Sequence, residues 1–148
     1  MGHDYNDERS QSIIKEHEGC RHKIYLDSKG IPTVGYGHAL LEGSYMPPHV
    51  INTLFEMDYE IAVADYKSLK FDLDPVRRAV VINMLFNLGR TRFLGFKNTI
   101  RYIRSGQYVR AGDEMLDSKW AREDVSEERS GQLSRMMKTG NWSGEWES

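Results

Sequence analysis

The segment DPVRRAVVINMLFNLG, residues 74–89, constrains the fold of this chain more than any other stretch. Asp74 is a typical helix N-cap, Pro75 suits a first helical turn, and Gly89 is a typical stop. Between these signals, apolar side chains occupy nearly every side of the predicted helix, which places it in the centre of a helical core. The chain must therefore surround this helix with others.

Further helices are predicted on both sides of it. PPHVINTLFEMDYEIAVADYKSL opens with prolines and repeats apolar residues at helical spacing, which indicates a long helix over about residues 47–68. FKNTIRYIRS, QYVRAGDEMLDSKW and SEERSGQLSRMMKT are also interpreted as helices, punctuated by glycines 106, 112, 131 and 140. The C-terminal half is thus predicted to be a helical bundle.

The N-terminal part combines a short helix with a hairpin. The helix is expected from about Asp7 to Glu18, with Asn6 or Asp7 as its cap and Gly19 as its stop. HKIYLD and IPTVGYG are rich in β-branched and aromatic residues and are joined by SKG, whose glycine permits a positive φ. Pro32 predicts that the second strand lies at an edge of the sheet.

Length and charge limit the functions open to such a chain. Its 148 residues suit one α+β, mainly helical domain over 1–148, with a hairpin lobe at about 19–45, a connecting helix at about 47–68 and a helical lobe at about 74–142. The 20 Lys and Arg against 22 Asp and Glu give a net charge of −2, so overall steering toward a polyanion is not expected. Residues 90–138 carry 11 basic and 7 acidic side chains, which either two differently solvated faces or a polyanion site would explain. No nucleic-acid-binding motif accompanies them.

Membrane, disulfide and metal sites are not expected. Cys20 is the single cysteine, which excludes an internal disulfide and a cysteine-rich zinc site. The start, MGHDYNDERSQ, lacks the apolar core of a secretion signal, and its first three residues resemble a cloning remnant. No apolar run reaches the roughly 18 residues that would span a bilayer. We therefore expect no stable membrane insertion, no metal and no nucleic-acid partner.

Glu18, Asp27 and Thr33 are predicted to lie close together where the first helix meets the hairpin. Strand alternation puts Asp27 on the face of Tyr25, and the turn folds Thr33 back toward it. Two carboxyls in unequal surroundings suit glycoside hydrolysis: one, kept protonated by partial burial, donates to the leaving oxygen, and the ionised one handles water or the cationic sugar. The spacing of Glu18 and Asp27 alone is weak evidence for a catalytic pair, because 22 acidic residues supply many such pairs.

The order EG, KIYLD, G and TVGYGH closely resembles the motif of the phage T4 type lysozymes, glycoside hydrolase family 24. LFEMD at 54–58, VRRAVVINMLFNLG at 76–89, GFKNTIR at 95–101, SKW at 118–120 and KTGNW at 138–142 are similar to the same family, in the same order. The resemblance spans about residues 8–142. It implies a lysozyme-like fold with a cleft between the hairpin lobe and the helical-bundle lobe.

The resemblance also implies an activity: a monomeric muramidase, without a cofactor, that cleaves the β-1,4 bond between N-acetylmuramic acid and N-acetylglucosamine in peptidoglycan. Glu18 would be the general acid, Asp27 the carboxylate that orients or activates water, and Thr33 the hydroxyl that holds this water. A purely structural strand residue is the alternative for Thr33. Inversion is expected, which needs roughly 6.5 to 9.5 Å between the carboxyls.

Supporting residues follow from the same resemblance. Arg129 would pair with Glu18, with an exposed surface arginine as the alternative, and His38 would form a structural pair with Asp58. Substrate contacts are expected from Gly37, Phe86, Asn87 and Trp120. For the two aromatic residues, a place in the helical core is the alternative.

Two stretches depart from the family. The segment from His38 to Asp58 is shorter, which leaves the far wall of the cleft and the number of sugar subsites open. REDVSEER at 122–129 lacks the family's Thr-Pro before the arginine, which leaves the role of Arg129 open.

Three functions are therefore compared: an inverting endolysin that lyses a phage host, a noncatalytic wall-binding or virion structural module, and a lytic transglycosylase, which would need only the acid. The first implies residence in the host cytoplasm until a holin-type partner opens the membrane.

Overall fold

The computed structural model describes residues 5–143, so residues 1–3, which resemble a cloning remnant, lie outside the described residues. The chain divides into two compact units, one up to Pro48 and one from His49 onward. The secondary structure comprises α1 (Glu8–Glu18), β1 (Arg21–Leu26), β2 (Pro32–Gly35), β3 (His38–Ala39), α2 (Pro48–Ser68), α3 (Pro75–Leu88), α4 (Arg90–Phe93), α5 (Lys97–Arg104), α6 (Tyr108–Leu116), a π-helical turn (Trp120–Asp124) and α7 (Glu127–Thr139). The mainly helical α+β fold is confirmed. The single-domain assignment with its lobe boundaries stays a prediction.

Capping residues set both ends of α1. The Asp7 carboxylate accepts the Arg9 backbone N–H at 2.9 Å, which confirms Asp7 as the N-cap. A hydrogen bond from the Arg9 side chain lowers the pKa of Asp7 below its ordinary value. At the other end, Gly19 has a φ of 67° and donates its N–H to the Lys15 carbonyl at 2.9 Å. The predicted limits of this helix are therefore confirmed.

The central strand of the sheet is β2, because the strand order is β1-β2-β3. The prediction that Pro32 marks an edge strand is therefore wrong. Pro32 is the first residue of β2, a position that tolerates a missing N–H, and its carbonyl accepts the Leu40 N–H at 2.8 Å. Sequence periodicity does not reveal β3, because this strand has two residues.

The register of the hairpin places Tyr25 and Thr33 side by side on one face. β1 and β2 are antiparallel, with Tyr25 opposite Thr33 and Leu26 opposite Pro32. Directly opposed residues point to the same side of a sheet, so Tyr25 and Thr33 are neighbours. Gly30, in the connecting turn, has the expected positive φ, 78°.

The second unit is organised around α3, as its sequence predicts. Asp74 accepts the Arg77 backbone N–H at 3.1 Å, Pro75 is the first residue, and Gly89 ends the helix with a φ of 79°. The side chains of α3 are buried on several sides. Besides α3, the core contains Ala62, Tyr66, Leu69, Phe93, Ile103, Ala111, Met115, Trp120, Ala121, Leu133, Met136 and Met137.

The C-terminal half of α2 reaches this core through Ala62 and Tyr66. By contrast, Leu54, Met57 and Ile61, whose spacing predicts the helix, are 47%, 53% and 60% exposed. The apolar repeat thus identifies the helix correctly but does not identify the side chains that it buries.

Arg77 ties the start of α3 to the end of α7. Its Nε donates to the Met137 carbonyl at 2.7 Å, its Nη2 to the Lys138 carbonyl at 3.2 Å, and its Nη1 to the Asp74 carboxylate at 3.1 Å. The guanidinium also packs 3.8 Å from the centre of the Tyr108 ring. Burial raises the pKa of Asp74, but the hydrogen bonds from Arg77 outweigh burial and leave that pKa below its ordinary value.

Two of the glycines that punctuate the predicted helical segments lie inside helices, Gly112 in α6 and Gly131 in α7. A Cβ on Gly112 would lie 2.5 Å from Lys138 Cγ and 3.0 Å from the Ser134 carbonyl oxygen. The absence of a side chain therefore lets α6 and α7 approach closely, and the Ser134 hydroxyl donates to the Gly112 carbonyl at 2.9 Å. Close packing against α7 therefore explains this glycine.

The segment from 107 to 120, predicted as one helix, is divided. α6 ends at Leu116, and a π-helical turn begins at Trp120. The Val125 N–H bonds to the Trp120 carbonyl at 3.1 Å, which is the five-residue spacing of a π-turn. The one-turn helix α4 was not predicted either.

Candidate active site

Glu18 is the last residue of α1, directly before the residue that ends the helix. Its side chain is exposed, so the partial burial expected of the proton donor is not found. Instead, the carboxylate lies against the backbone of Gly37. A Cβ built on Gly37 would lie 2.6 Å from Glu18 Oε2 and 3.1 Å from its Cδ. The structure thus brings these two predicted site residues together, and Gly37 leaves room for the acid.

The end of α1 contacts the turn between β2 and β3 at a second point. The Lys15 ammonium lies 5.3 Å from the centre of the Tyr36 ring, a distance at which a cation is attracted to an aromatic face. Gly35 and Gly37, on either side of Tyr36, have φ values of 66° and 72°. A positive φ is strained for residues with a side chain, so the GYG sequence is what allows this turn.

Asp27 organises the turn between β1 and β2 with its side chain. Its Oδ1 accepts the backbone N–H groups of Lys29 at 2.8 Å and of Ile31 at 2.9 Å. Its backbone carbonyl accepts the Gly30 N–H, and its own N–H donates to the Ile31 carbonyl, both at 2.9 Å. This arrangement is an Asx-turn, in which the side chain replaces part of the backbone bonding. Within residues 5–143, Oδ2 of this carboxylate accepts no hydrogen bond.

Thr33 is linked to the same turn. Its hydroxyl donates to the Ile31 carbonyl at 2.8 Å, and its residue surface is 3% exposed. Ile31 therefore bonds to both predicted site residues: its N–H binds Asp27, and its carbonyl binds Thr33. The structure brings Asp27 and Thr33 together through one residue that the sequence analysis did not single out.

The remaining predicted partners are found in different elements. His38, the first residue of β3, is opposite Val34, and Asp58 lies in α2; the side chains of His38 and Asp58 are both exposed, and their pairing stays a prediction. Arg129, in the first turn of α7, donates Nη2 and Nε to Asn83 Oδ1 at 2.7 and 3.2 Å. Its pairing with Glu18 also stays a prediction.

Asn83, which holds the predicted supporting residue Arg129, was not singled out by the sequence analysis. The signal was a single amide inside an otherwise apolar helical stretch, VVINML, where a polar side chain needs a partner.

The predicted substrate-contacting residues of the helical unit differ in exposure. Phe86 is 39% exposed and Asn87 is exposed, both near the end of α3. Trp120 is 2% exposed, which agrees with the core alternative for its ring. Its indole N–H nevertheless reaches Asn87 and donates to Oδ1 at 2.9 Å.

A cavity of about 430 Å³ opens beside this pair in the helical unit. It is lined by Leu88, Arg92, Gly95, Phe96, Lys97, Asn98, Thr99, Glu114, Asp117, Ser118, Lys119, Trp120 and Asp124. Among residues 5–143, no three His, Cys, Asp or Glu side chains are grouped so that they could hold a metal ion. In the same part of the chain, no helix has both the length and the apolar surface to cross a bilayer.

Comparison with known proteins bears on the family of this chain. The family model described as phage lysozyme matches residues 15–138, a range that includes Glu18, Asp27 and Thr33. The chain belongs to the phage lysozyme family. Membership supports a glycosidase of the lysozyme type, with peptidoglycan as the substrate that it hydrolyses.

Three relatives show how widely this phage lysozyme domain occurs. The chain is 27% identical to "Probable T4-type lysozyme 1" of Dictyostelium discoideum, over 90% of this chain and 74% of that protein. It is 29% identical to "Endolysin" of Salmonella phage P22, over 75% of this chain and 81% of that protein. It is 25% identical to "Pre-baseplate central spike protein Gp5" of Enterobacteria phage T4, over 87% of this chain but 27% of that protein.

Proposed function

We propose that this chain is an inverting muramidase that cleaves the β-1,4 bond between N-acetylmuramic acid and N-acetylglucosamine. Glu18 acts as the general acid and Asp27 as the base that activates water. The observation that carries the proposal is the double role of Ile31, whose N–H holds the Asp27 carboxylate and whose carbonyl holds the Thr33 hydroxyl. A carboxylate fixed by backbone donors keeps one oxygen aimed in a constant direction, which general base catalysis requires.

The bonding of Asp27 and Thr33 supports a water between them. The Thr33 hydroxyl donates its hydrogen bond to the Ile31 carbonyl, so its oxygen remains available only as an acceptor. Oδ2 of Asp27 is also an acceptor. A water molecule that donates one hydrogen to each would turn its lone pairs toward the anomeric carbon. Attack from that side, opposite the leaving oxygen, inverts the configuration.

The position of Glu18 supports its role as the acid. A carboxylate at the C-terminal end of a helix opposes the helix dipole, so the placement costs stability, about 0.3–1 kcal/mol in typical cases. Residues that break such a local rule are commonly functional. The close approach of Gly37 gives the carboxyl a defined position despite its exposure.

We further propose that the enzyme acts in host-cell lysis and reaches the wall through a membrane hole made by a holin-type partner. Two relatives bear on this role. The protein named endolysin, of which the chain covers 81%, supports the lytic role, and the spike protein, of which it covers 27%, is the basis of the alternative, a virion module.

The test is product analysis on purified peptidoglycan. Proton NMR of the early reaction reads the anomeric form, and mass spectrometry identifies the new chain ends. We expect reducing muramic acid ends that appear first as the α-anomer. First formation of the β-anomer would overturn inversion, anhydro ends would mean a transglycosylase, and no cleavage would mean a binding module.

The assignment of the acid is tested with a matched pair of variants. Glu18→Gln should lower the hydrolysis rate by about 10²- to 10⁴-fold, the range of general acid catalysis, with a thermal midpoint unchanged or raised. Glu16→Gln makes the same change two residues earlier on exposed α1 and should retain activity. Full activity of Glu18→Gln would exclude Glu18 as the acid.

A further inference from the structure

A segment without acidic residues runs from Pro75 to Gly112. It contains eight Lys and Arg side chains and no Asp or Glu, although the whole chain has a net charge of −2. The excess of negative charge therefore belongs to other parts of the chain. A surface of one sign can attract an oppositely charged polymer even when the protein as a whole is slightly acidic.

The fold of the second unit brings cations from this segment together with a lysine that precedes it. Both Arg101 of α5 and Arg110 of α6 lie over the ring of Tyr102, with guanidinium carbons 5.3 and 6.0 Å from its centre. Arg104, one turn after Arg101, donates to the Leu69 carbonyl at 2.8 Å, directly before Lys70. Arg90 of α4 donates to the Ser68 hydroxyl at 3.2 Å. We call this surface the cationic face; its members are Lys70, Arg90, Arg101, Arg104 and Arg110.

The charges of the cationic face are not neutralised by the protein. Within residues 5–143, none of its five members forms an ion pair with a carboxylate. Exposed cations elsewhere in the second unit do so: Arg92 pairs with Asp124, and Arg122 pairs with Asp117. Asp72, in the same loop as Lys70, is exposed and pairs with none of the five. Neighbouring like charges repel one another, so a bound anion would relieve this repulsion.

The side chains of the cationic face suit phosphate better than nucleic-acid bases. A guanidinium presents a planar fork of donors that matches phosphate oxygens, and four of the five cations are arginines. The half-buried rings beside them are already occupied: Arg104 lies 4.4 Å from the centre of Phe71, and Tyr102 carries two guanidinium groups. Nucleic-acid single strands bind through bases stacked on free aromatic rings. The cationic face therefore fits phosphate groups that carry no bases.

We propose that the cationic face binds a phosphodiester polymer that is covalently attached to the bacterial wall. The inference rests on the proposed function, because the wall that the enzyme cleaves would carry this polymer. Cations from four separate segments match a row of phosphates better than they match a single one. Since polymer and glycan belong to one molecule, binding of the polymer raises the local concentration of glycan around the enzyme.

Binding is measured without turnover, by calorimetry in the Glu18→Gln background, with purified poly(glycerol phosphate) as the probe. Arg101→Gln/Arg110→Gln removes two exposed cations of the face. We expect about tenfold weaker binding, the effect of two lost surface ion pairs. The dependence of log affinity on log salt concentration should also become shallower by about 1 to 2.

A matched control and a second variant accompany this measurement. Arg122→Gln/Arg135→Gln removes two exposed cations from the π-helical turn and α7, so it has the same net charge, and its affinity should equal that of the parent. Lys70→Gln/Arg90→Gln removes two other members of the cationic face and should lose affinity about as much as Arg101→Gln/Arg110→Gln. The test therefore does not depend on one variant, and thermal midpoints report that each is folded.

Kinetics on two wall preparations test the consequence for the enzyme with Glu18 intact. One preparation keeps its phosphodiester polymer, and the other is the same wall treated with hydrofluoric acid, which removes it. We expect KM to be about tenfold lower on the first, with the same kcat on both. Arg101→Gln/Arg110→Gln should abolish this difference, whereas Arg122→Gln/Arg135→Gln should keep it.

Other anions serve as competing probes. Polyglutamate, phosphatidylglycerol vesicles and single-stranded DNA stand for general charge attraction, a membrane surface and a nucleic acid. Binding of any of them as tight as that of poly(glycerol phosphate) would overturn the inference. Unchanged affinity for the polymer in the folded variants of the cationic face would also overturn it.

The proposed function fails separately. A protein that binds the polymer through the cationic face but cleaves neither wall preparation would refute the muramidase assignment and leave the polymer site in place. An enzyme that cleaves both preparations with the same KM and does not bind the polymer would refute the polymer site alone.

Discussion

Replacing Gly37 with alanine is expected to displace the Glu18 carboxyl without unfolding the hairpin unit. The new Cβ would lie 2.6 Å from Glu18 Oε2, whereas ordinary van der Waals contact begins at 3.4 Å, so the carboxylate must move by about 0.8 Å. Gly35→Ala is the matched control. Gly35 also has a positive φ, 66°, but its added Cβ would meet nothing within 4 Å.

The two substitutions should have equal effects on stability and unequal effects on rate. Each places alanine in the left-handed region, which costs about 1–2 kcal/mol. The clash at position 37 adds little, because the exposed Glu18 side chain can rotate away. For catalysis, a misplacement of about 1 Å can cost about 10²-fold, so a move of about 0.8 Å should lower kcat by about 10- to 100-fold.

Urea unfolding and wall-suspension kinetics measure the two effects. Both variants should lose the same unfolding free energy, and only Gly37→Ala should lose kcat beyond what that loss explains. A raised KM with unchanged kcat would mean that Gly37 contacts substrate rather than making room for Glu18. Equal kcat values for the two variants would refute the placement argument.

Four further predictions follow from the fold and the site. Asp27→Asn keeps an acceptor for the turn N–H groups but removes the base, so hydrolysis should fall by about 10²-fold or more while urea stability changes little; a mild effect on rate would move the base elsewhere. Thr33→Ser should retain hydrolysis and Thr33→Val should lose it, and equal rates would assign Thr33 a purely structural role. Arg77→Met should lower the unfolding free energy by about 2 kcal/mol through lost bonds to the last carbonyls of α7, whereas Arg78→Met, on the exposed side, should stay within about 0.5 kcal/mol. Because the pKa of folded Asp74 is lowered, its contribution is present above the ordinary value of 3.8 and lost as the pH falls through the folded value; a stability-versus-pH profile should be flatter there in Asp74→Asn.

Elements with strong local signals were predicted well from sequence. The ends of α1 and α3 were identified because Asp7, Asp74 and Gly89 act on backbone groups within a few residues. Features that depend on distant contacts were not. β3 forms only by pairing with β2, and Gly112 is explained by α7, which lies more than ten residues away. Periodicity does not report either kind of contact.

For the candidate site, too, the sequence indicated which residues to consider but not the contacts that position them. The order of acids in the motif was enough to select Glu18 and Asp27 from 22 acidic residues. The sequence did not predict how each carboxylate is held. Asp27 is bound by the backbone of Ile31, and Glu18 occupies space that a side chain on Gly37 would fill. Trp120 was named for its ring, whereas its indole N–H bonds to Asn87, a residue 33 positions away.

The Asx-turn around Asp27 links the orientation of this carboxylate to the closing of the hairpin. Its bonds join residues two to four positions apart, so they can form as the hairpin closes, an event of about 1–10 μs in isolated hairpins. The Asp27 carboxylate is therefore a structural part of the turn that holds it. If Asp27 is the base that we propose, the bonds that close the turn are the same bonds that orient its carboxylate.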